Sequence, residues 1–190
     1  DGFVVFDIET TGLDAVTDRI IEIGAVKIQN GEIIDRFSSF VNPAVSIPEF
    51  IVKLTGINDD MVKDAPTIEE VICDFLHFAG DMPLVAHNAM FDTGFIRYNA
   101  GKLNIEVNNP IIDTLQLSRN MFPNLKRYKL DFVAKHLGVR LDNHHRAVND
   151  AEATASIFLK CLEILKSKNV STIDEIQGAF ESNINYLKAH

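Results

Sequence analysis

Two extended apolar runs, residues 20–29 (IIEIGAVKIQ) and 32–41 (EIIDRFSSFV), are separated only by Asn30 and Gly31. Both of these residues accept positive φ at low cost, so the pair specifies a tight hairpin and makes the runs antiparallel neighbours. A third run, residues 3–9 (FVVFDIE), precedes them and is rich in β-branched and aromatic residues. The chain up to Val41 is therefore expected to be a three-stranded antiparallel meander.

Beyond two prolines, Pro43 and Pro48, and short helices expected at 49–55 and 59–63, the rhythm changes. Thr67 and Glu70 form a capping box, and Ile68, Val71, Ile72, Phe75 and Leu76 follow at helical spacing before Gly80. Short apolar runs then alternate with helical stripes. Residues 83–87 (PLVAH) lead into a helix over 91–100, and 110–113 (PIID) into one over 114–121. A helix at 130–137 is stopped by Gly138. A longer one at 147–166 carries Val148, Ala151, Ala155, Phe158, Leu162 and Leu165 in steps of three and four. A last amphipathic segment covers 172–187. A meander followed by two βα units implies an α/β protein with a mixed five-stranded sheet flanked by helices, the ribonuclease-H-like layout. With 190 residues, one domain over 1–168 and a helical extension at 169–190 are expected.

Composition narrows the partners. A net charge of −9 argues against gripping duplex nucleic acid by broad phosphate neutralisation, but not against holding a few nucleotides through cations. Cys73 and Cys161 both fall in helical apolar patterns and read as core residues of a protein in a reducing cytoplasm. No apolar run approaches membrane-spanning length and no signal-peptide pattern is present, so no membrane partner is expected. The chain opens on Asp1 inside a strand pattern, without Met, and so reads as a piece of a longer polypeptide.

The first strand ends on Asp7 and Glu9, which share one face because strand side chains alternate. Two more clusters matter: residues 87–92 (HNAMFD) at a strand-to-helix junction, and 144–150 (HHRAVND) at the start of the long helix. Singly, each has an ordinary reading. Asn88 and Asp92 suit helix caps, His145 a solvated loop, and Asp150 the positive end of a helix dipole. Jointly, all three lie at the sheet edge where α/β folds build sites.

DIETTG, HNAMFD and HRAVND resemble the three motifs of the DEDDh (DnaQ-like) 3′→5′ exonucleases, in the same order between about Phe3 and Leu165. Within that family, VAHNAMFD and HHRAVNDAEATA are most similar to the exonuclease domain of PolC-type DNA polymerase III. The resemblance implies two divalent metal ions. Asp7 would bridge them, Glu9 and Asp150 would hold the one on the side of the attacking water, and Asp92 would complete the set. Oxygen ligands favour Mg²⁺ or Mn²⁺, and no Cys–His set suits zinc. The family's His branch has its His five residues before the last Asp, while a sister branch has Tyr four before it. Here position 145 is His and 146 is Arg, so His145 is the expected general base and His144 is out of register.

Thr10, Thr11, Gly12 and Leu13 follow the first two acidic residues directly, so their backbone N–H groups and the Leu13 side chain are expected to seat the terminal nucleotide. By the same resemblance, Phe91 packs on a sugar or base, or else in the core, and His87 and Asn88 order Asp92 or a phosphate. Residues 126–129 (KRYK) are the one basic-aromatic cluster, either a single-strand track or a solvated loop. The implied activity is release of nucleoside 5′-monophosphates from a single-stranded DNA 3′ end, proofreading for a cytoplasmic polymerase whose other parts are the expected partners. Two alternatives stand beside it. One is an oligoribonuclease or RNA-trimming enzyme with the same motifs. The other is a silent polymerase-associated module, which a missing ligand would mark; all five residues are present.

Overall fold

In the computed structural model, which describes residues 2–141 and 145–167, the meander forms as β1 (Gly2–Thr10), β2 (Ile20–Gln29) and β3 (Glu32–Phe40). Asn30 and Gly31 make the β2–β3 turn at φ 54° and 84°. Two short strands, β4 (Leu84–Ala86) and β5 (Ile111–Asp113), add in parallel on the other side of β1, giving the order β3-β2-β1-β4-β5. The helices are α1 (Glu49–Thr55), α2 (Asp59–Val62), α3 (Ile68–Ala79), α4 (Ala89–Lys102), α5 (Thr114–Met121), α6 (Leu130–Leu137) and α7 (Ala147–Ser167). The ribonuclease-H-like mixed sheet of five strands with flanking helices is the observed architecture.

Alternation along β1 sorts its side chains onto two cores. Val4, Phe6 and Ile8 pack with Val71, Ile72 and Phe75 of α3 and with Phe95 and Ile96 of α4. Val5 points the other way, into a cluster with Leu117, Val133, Ala155, Phe158 and Cys161 from α5, α6 and α7. Burying each such side chain contributes about 1.5–3 kcal/mol, which fixes β1 between two helical layers. A smaller cluster around Ile21 seats α1 and α2 through Ile47, Ile51, Ile57 and Val62. On the α7 face, the odd positions of β1 run Phe3, Val5, Asp7, Glu9, so the apolar stripe gives way to carboxylates.

Two expectations need correction. Cys161 is buried, but Cys73 is exposed: it lies one position beyond Ile72, past the edge of the inward stripe of α3. The helix expected at 91–100 begins two residues earlier and ends two later, because Asn88 takes a left-handed turn (φ 73°) and starts α4 at once. The segment 172–187 lies outside the described residues, as does the expected extension from 169 onward. Among the described residues, no helix is long and apolar enough to cross a membrane.

Candidate active site

The site grows from a split in the sheet. β1 and β4 pair only at Val4–Leu84 and Val5–Val85, and beyond Val5 the strands part. The chain leaves β1 toward β2 on one side and leaves β4 through α4 on the other, the arrangement that opens a crevice at strand C-termini. The Ile8 N–H, left without a β4 partner, donates to Asp92 Oδ1 at 3.3 Å, which draws the first turn of α4 into the crevice. The junction carrying Asp92 is fixed from the next strand: Asp113 Oδ1 accepts the N–H of Asn88 at 3.0 Å and that of Leu115 at 2.8 Å.

Helix α7 closes the other side. Asp7 pairs across the sheet with Gly24. A Cβ on Gly24 would overlap the Val148 backbone nitrogen and the Ala147 carbonyl carbon. The missing side chain lets the start of α7 lie directly on β2, three residues before Asp150. Asp150 is buried, and its Oδ2 accepts the His145 N–H at 2.9 Å. His145 sits at φ 71°, a left-handed conformation that costs a non-glycine residue energy and is held by this local bonding. Ligand atoms of Glu9, His145 and Asp150 all lie within 4.8 Å of one another. His144, the histidine set aside as out of register, lies outside the described residues.

The electrostatics follow from crowding. Burial, then repulsion from Asp92, Glu9, Asp150 and Glu22, holds the Asp7 carboxyl well above the usual carboxylate range. Burial, followed by Asp150, Glu22 and Asp92, pushes Glu9 up to about 8, with Arg146 opposing. Asp92 also reaches about 8; burial dominates, opposed by hydrogen bonds from its own N–H and that of Ile8. Without cations these carboxyls are driven to keep their protons. A divalent cation removes that penalty, and hard carboxylate oxygens are the donors Mg²⁺ and Mn²⁺ favour, so the residues fit the implied metal ions.

Two further residues shape the site and were not singled out in the sequence. Glu22 of β2 is 1% exposed and directly opposite Glu9. It accepts from Arg146 at 2.8 Å and 3.2 Å and from the Ala147 N–H at 3.0 Å. The Arg146 guanidinium also lies 5.1 Å from the Phe40 ring centre. The pair ties the residue after His145 to the sheet. The available signal was an acidic residue inside the apolar run IIEIGAV.

The expected nucleotide contacts divide into two groups. The loop after β1 is built rigidly: Thr10 Oγ1 donates to the Gly12 carbonyl at 2.6 Å, and Thr11 exchanges two backbone-anchored bonds with Arg19. Leu13 then stands 85% exposed four positions past Glu9, an apolar side chain with nothing covering it. Phe91 is half-buried against the α3–α4 core and 5.2 Å from the Phe95 ring, so its packing role is real. Asn88 is exposed. His87 has both ring nitrogens engaged: Nε2–H donates to the Tyr128 carbonyl at 2.7 Å, and Nδ1 pairs with Thr114 Oγ1 at 2.9 Å. Burial lowers its pKa and keeps it neutral, consistent with a brace rather than a charge on a phosphate.

Known proteins are similar to this chain in sequence and in fold. The family profile described as Exonuclease (RNase_T) matches residues 4–158. DNA polymerase III PolC-type of Caldanaerobacter subterraneus is 57% identical over 176 residues, 93% of this chain and 13% of that protein. The PolC-type enzyme of Bacillus subtilis is 49% identical over 177 residues, 92% of this chain and 12% of its own length. The chain thus spans about an eighth of the curated relatives it matches. Exonuclease X, solved in complex with 5′-overhanging duplex DNA, superposes with a TM-score of 0.77 at 27% identity, covering 94% of this chain and 99% of its own. The nuclease domain of 3′hExo, a DEDDh family member bound to rAMP, superposes with a TM-score of 0.73 at 21% identity, over 86% of this chain and 92% of its own, and shares the fold.

Proposed function

The chain belongs to the exonuclease family, in its DEDDh group, and on that premise we propose that it removes nucleoside 5′-monophosphates from single-stranded DNA 3′ ends to proofread for a cytoplasmic PolC-type polymerase. The observation that carries this reading is the convergence of Asp7, Glu9, Asp92 and Asp150, from three distant segments, on one crevice with His145 beside Glu9 and Asp150. The four carboxylates would hold two Mg²⁺ or Mn²⁺ ions. When bound, such ions supply charge stabilisation to both the entering and the leaving oxygen of an in-line displacement at phosphorus.

The chain's own groups do the rest. His145, held at the mouth of the site by its N–H bond to Asp150, takes the proton of the attacking water. The ordered loop from Thr10 to Leu13 seats the terminal nucleotide, with the bare Leu13 side chain against its base. Phe91 and Asn88, at the junction that carries Asp92, contact the same nucleotide, and His87 fixes the segment that leads to Asp92. Selectivity for a mismatch needs no base reading, since an unpaired end frays into a single-strand site more readily. PolC-type relatives at 46–57% identity favour DNA over the RNA-trimming alternative.

Digestion of a 5′-labelled single strand with Mg²⁺ tests the reading. The label should stay on a ladder that shortens from the 3′ end, with monophosphate as product and no product in EDTA. His145→Ala should slow the reaction at least about 100-fold. Intact strands with either ion, or label released first from the 5′ end, would refute the assignment.

A further inference from the structure

Beside His145 a cleft of about 1050 Å³ runs along the loop between α5 and α6. Its lining includes Arg119, Lys126, Arg127 and Lys129, four cations on a chain whose net charge is −9. All four are exposed. Among the described residues none of them takes part in an ion pair, and Asp131 is the one acidic residue of the lining. Uncompensated cations gathered on one wall of an acidic protein create a local field for a polyanion.

The wall is also built to hold its shape. His87 Nε2–H donates to the Tyr128 carbonyl in the middle of the basic segment, and the Tyr128 hydroxyl donates to the Phe122 carbonyl at 2.8 Å. The Arg119 guanidinium lies 6.0 Å from the Tyr128 ring centre, and that of Arg127 lies 5.3 Å from Phe132. Since His87 ends the strand segment that leads to Asp92, these hydrogen bonds tie the basic loop to the segment that carries one wall of the carboxylate crevice. Leu54 of α1 adds an exposed apolar side chain to the same cleft.

Resting on the exonuclease reading, we propose that this cleft is the track for the phosphate backbone of a single strand upstream of its 3′ end. Backbone cations with apolar and aromatic surface between them are what sequence-independent single-strand binding requires. The cleft contains His145 but none of Thr10 to Leu13, so it extends the site away from the loop assigned to the terminal nucleotide.

The test compares a trinucleotide with a strand of a dozen nucleotides in wild type, Lys126→Ala/Arg127→Ala and Lys126→Glu/Arg127→Glu. The preference for the longer strand, read as the ratio of the two kcat/KM values, should fall about tenfold in the alanine variant and further in the glutamate variant. The salt dependence of the longer strand's KM should become shallower by about 1.4 in log–log slope, about 0.7 for each phosphate that the variant no longer neutralises. A preference and slope unchanged in variants with native circular dichroism would overturn the track and leave the cations to an acidic protein partner. Failure of wild type to digest either strand would instead remove the exonuclease reading itself, and the track with it.

Discussion

At the scale of single residues, the site trades stability for chemistry. Glu9 and Asp92 have ordinary values of 4.5 and 3.8 but reach about 8 in the fold. Between those limits the folded chain binds protons that the unfolded chain has released. The contribution of these two groups to metal-free stability is thus full below about pH 4 and is lost as pH rises to about 8. Glu9→Gln removes one repelling charge. We expect it to raise the EDTA melting temperature near pH 9 by roughly 5 °C, to change it little near pH 4, and to abolish digestion. A variant less stable than wild type near pH 9 would mean that Glu9 is not under repulsion. Asp7, Glu9, Asp92, Asp150 and His145 were all identifiable as candidates from the sequence because the motifs they fall in have fixed spacing. Glu22 was not. Its role depends on cross-strand register with Glu9 and on Arg146 arriving from 124 positions away, and nothing local encodes either. Cys73 was misjudged for a related reason: a helical stripe is wide, and one residue at its edge can face either way.

At the scale of elements, α7 is the piece whose placement decides the site. It carries Asp150 and begins just after His145, and it rests on β2 where Gly24 offers no side chain. Gly24→Ala should push the helix start outward by a fraction of an ångström to an ångström. We expect at least about a 100-fold drop in kcat with secondary structure retained, since displacements of that size disable positioned groups. Activity within a few fold of wild type would show that the helix start is not held by this contact. The elements themselves were largely legible. β2, α1, α5 and α6 begin and end at the expected residues, because Asn-Gly, the helical stripes and Gly138 are strong local signals. The α4 boundary was not, since the left-handed turn at Asn88 is stabilised from Asp113 on another strand.

At the scale of the whole molecule, the meander, the parting of β1 from β4 and the docking of α7 bring three acidic segments to one edge of the sheet. A net charge of −9 makes that gathering costly unless cations enter. On the proposed reading, divalent metal ions occupy this crevice. Calorimetric titration of Mn²⁺ into the metal-free chain tests this most directly, with Asp7→Ala alongside. Wild type should bind two ions, and Asp7→Ala should lose most of that binding while keeping native circular dichroism. No binding of Mn²⁺ or Mg²⁺ to wild type, or equal binding by both proteins, would rule out a metal centre built on these carboxylates.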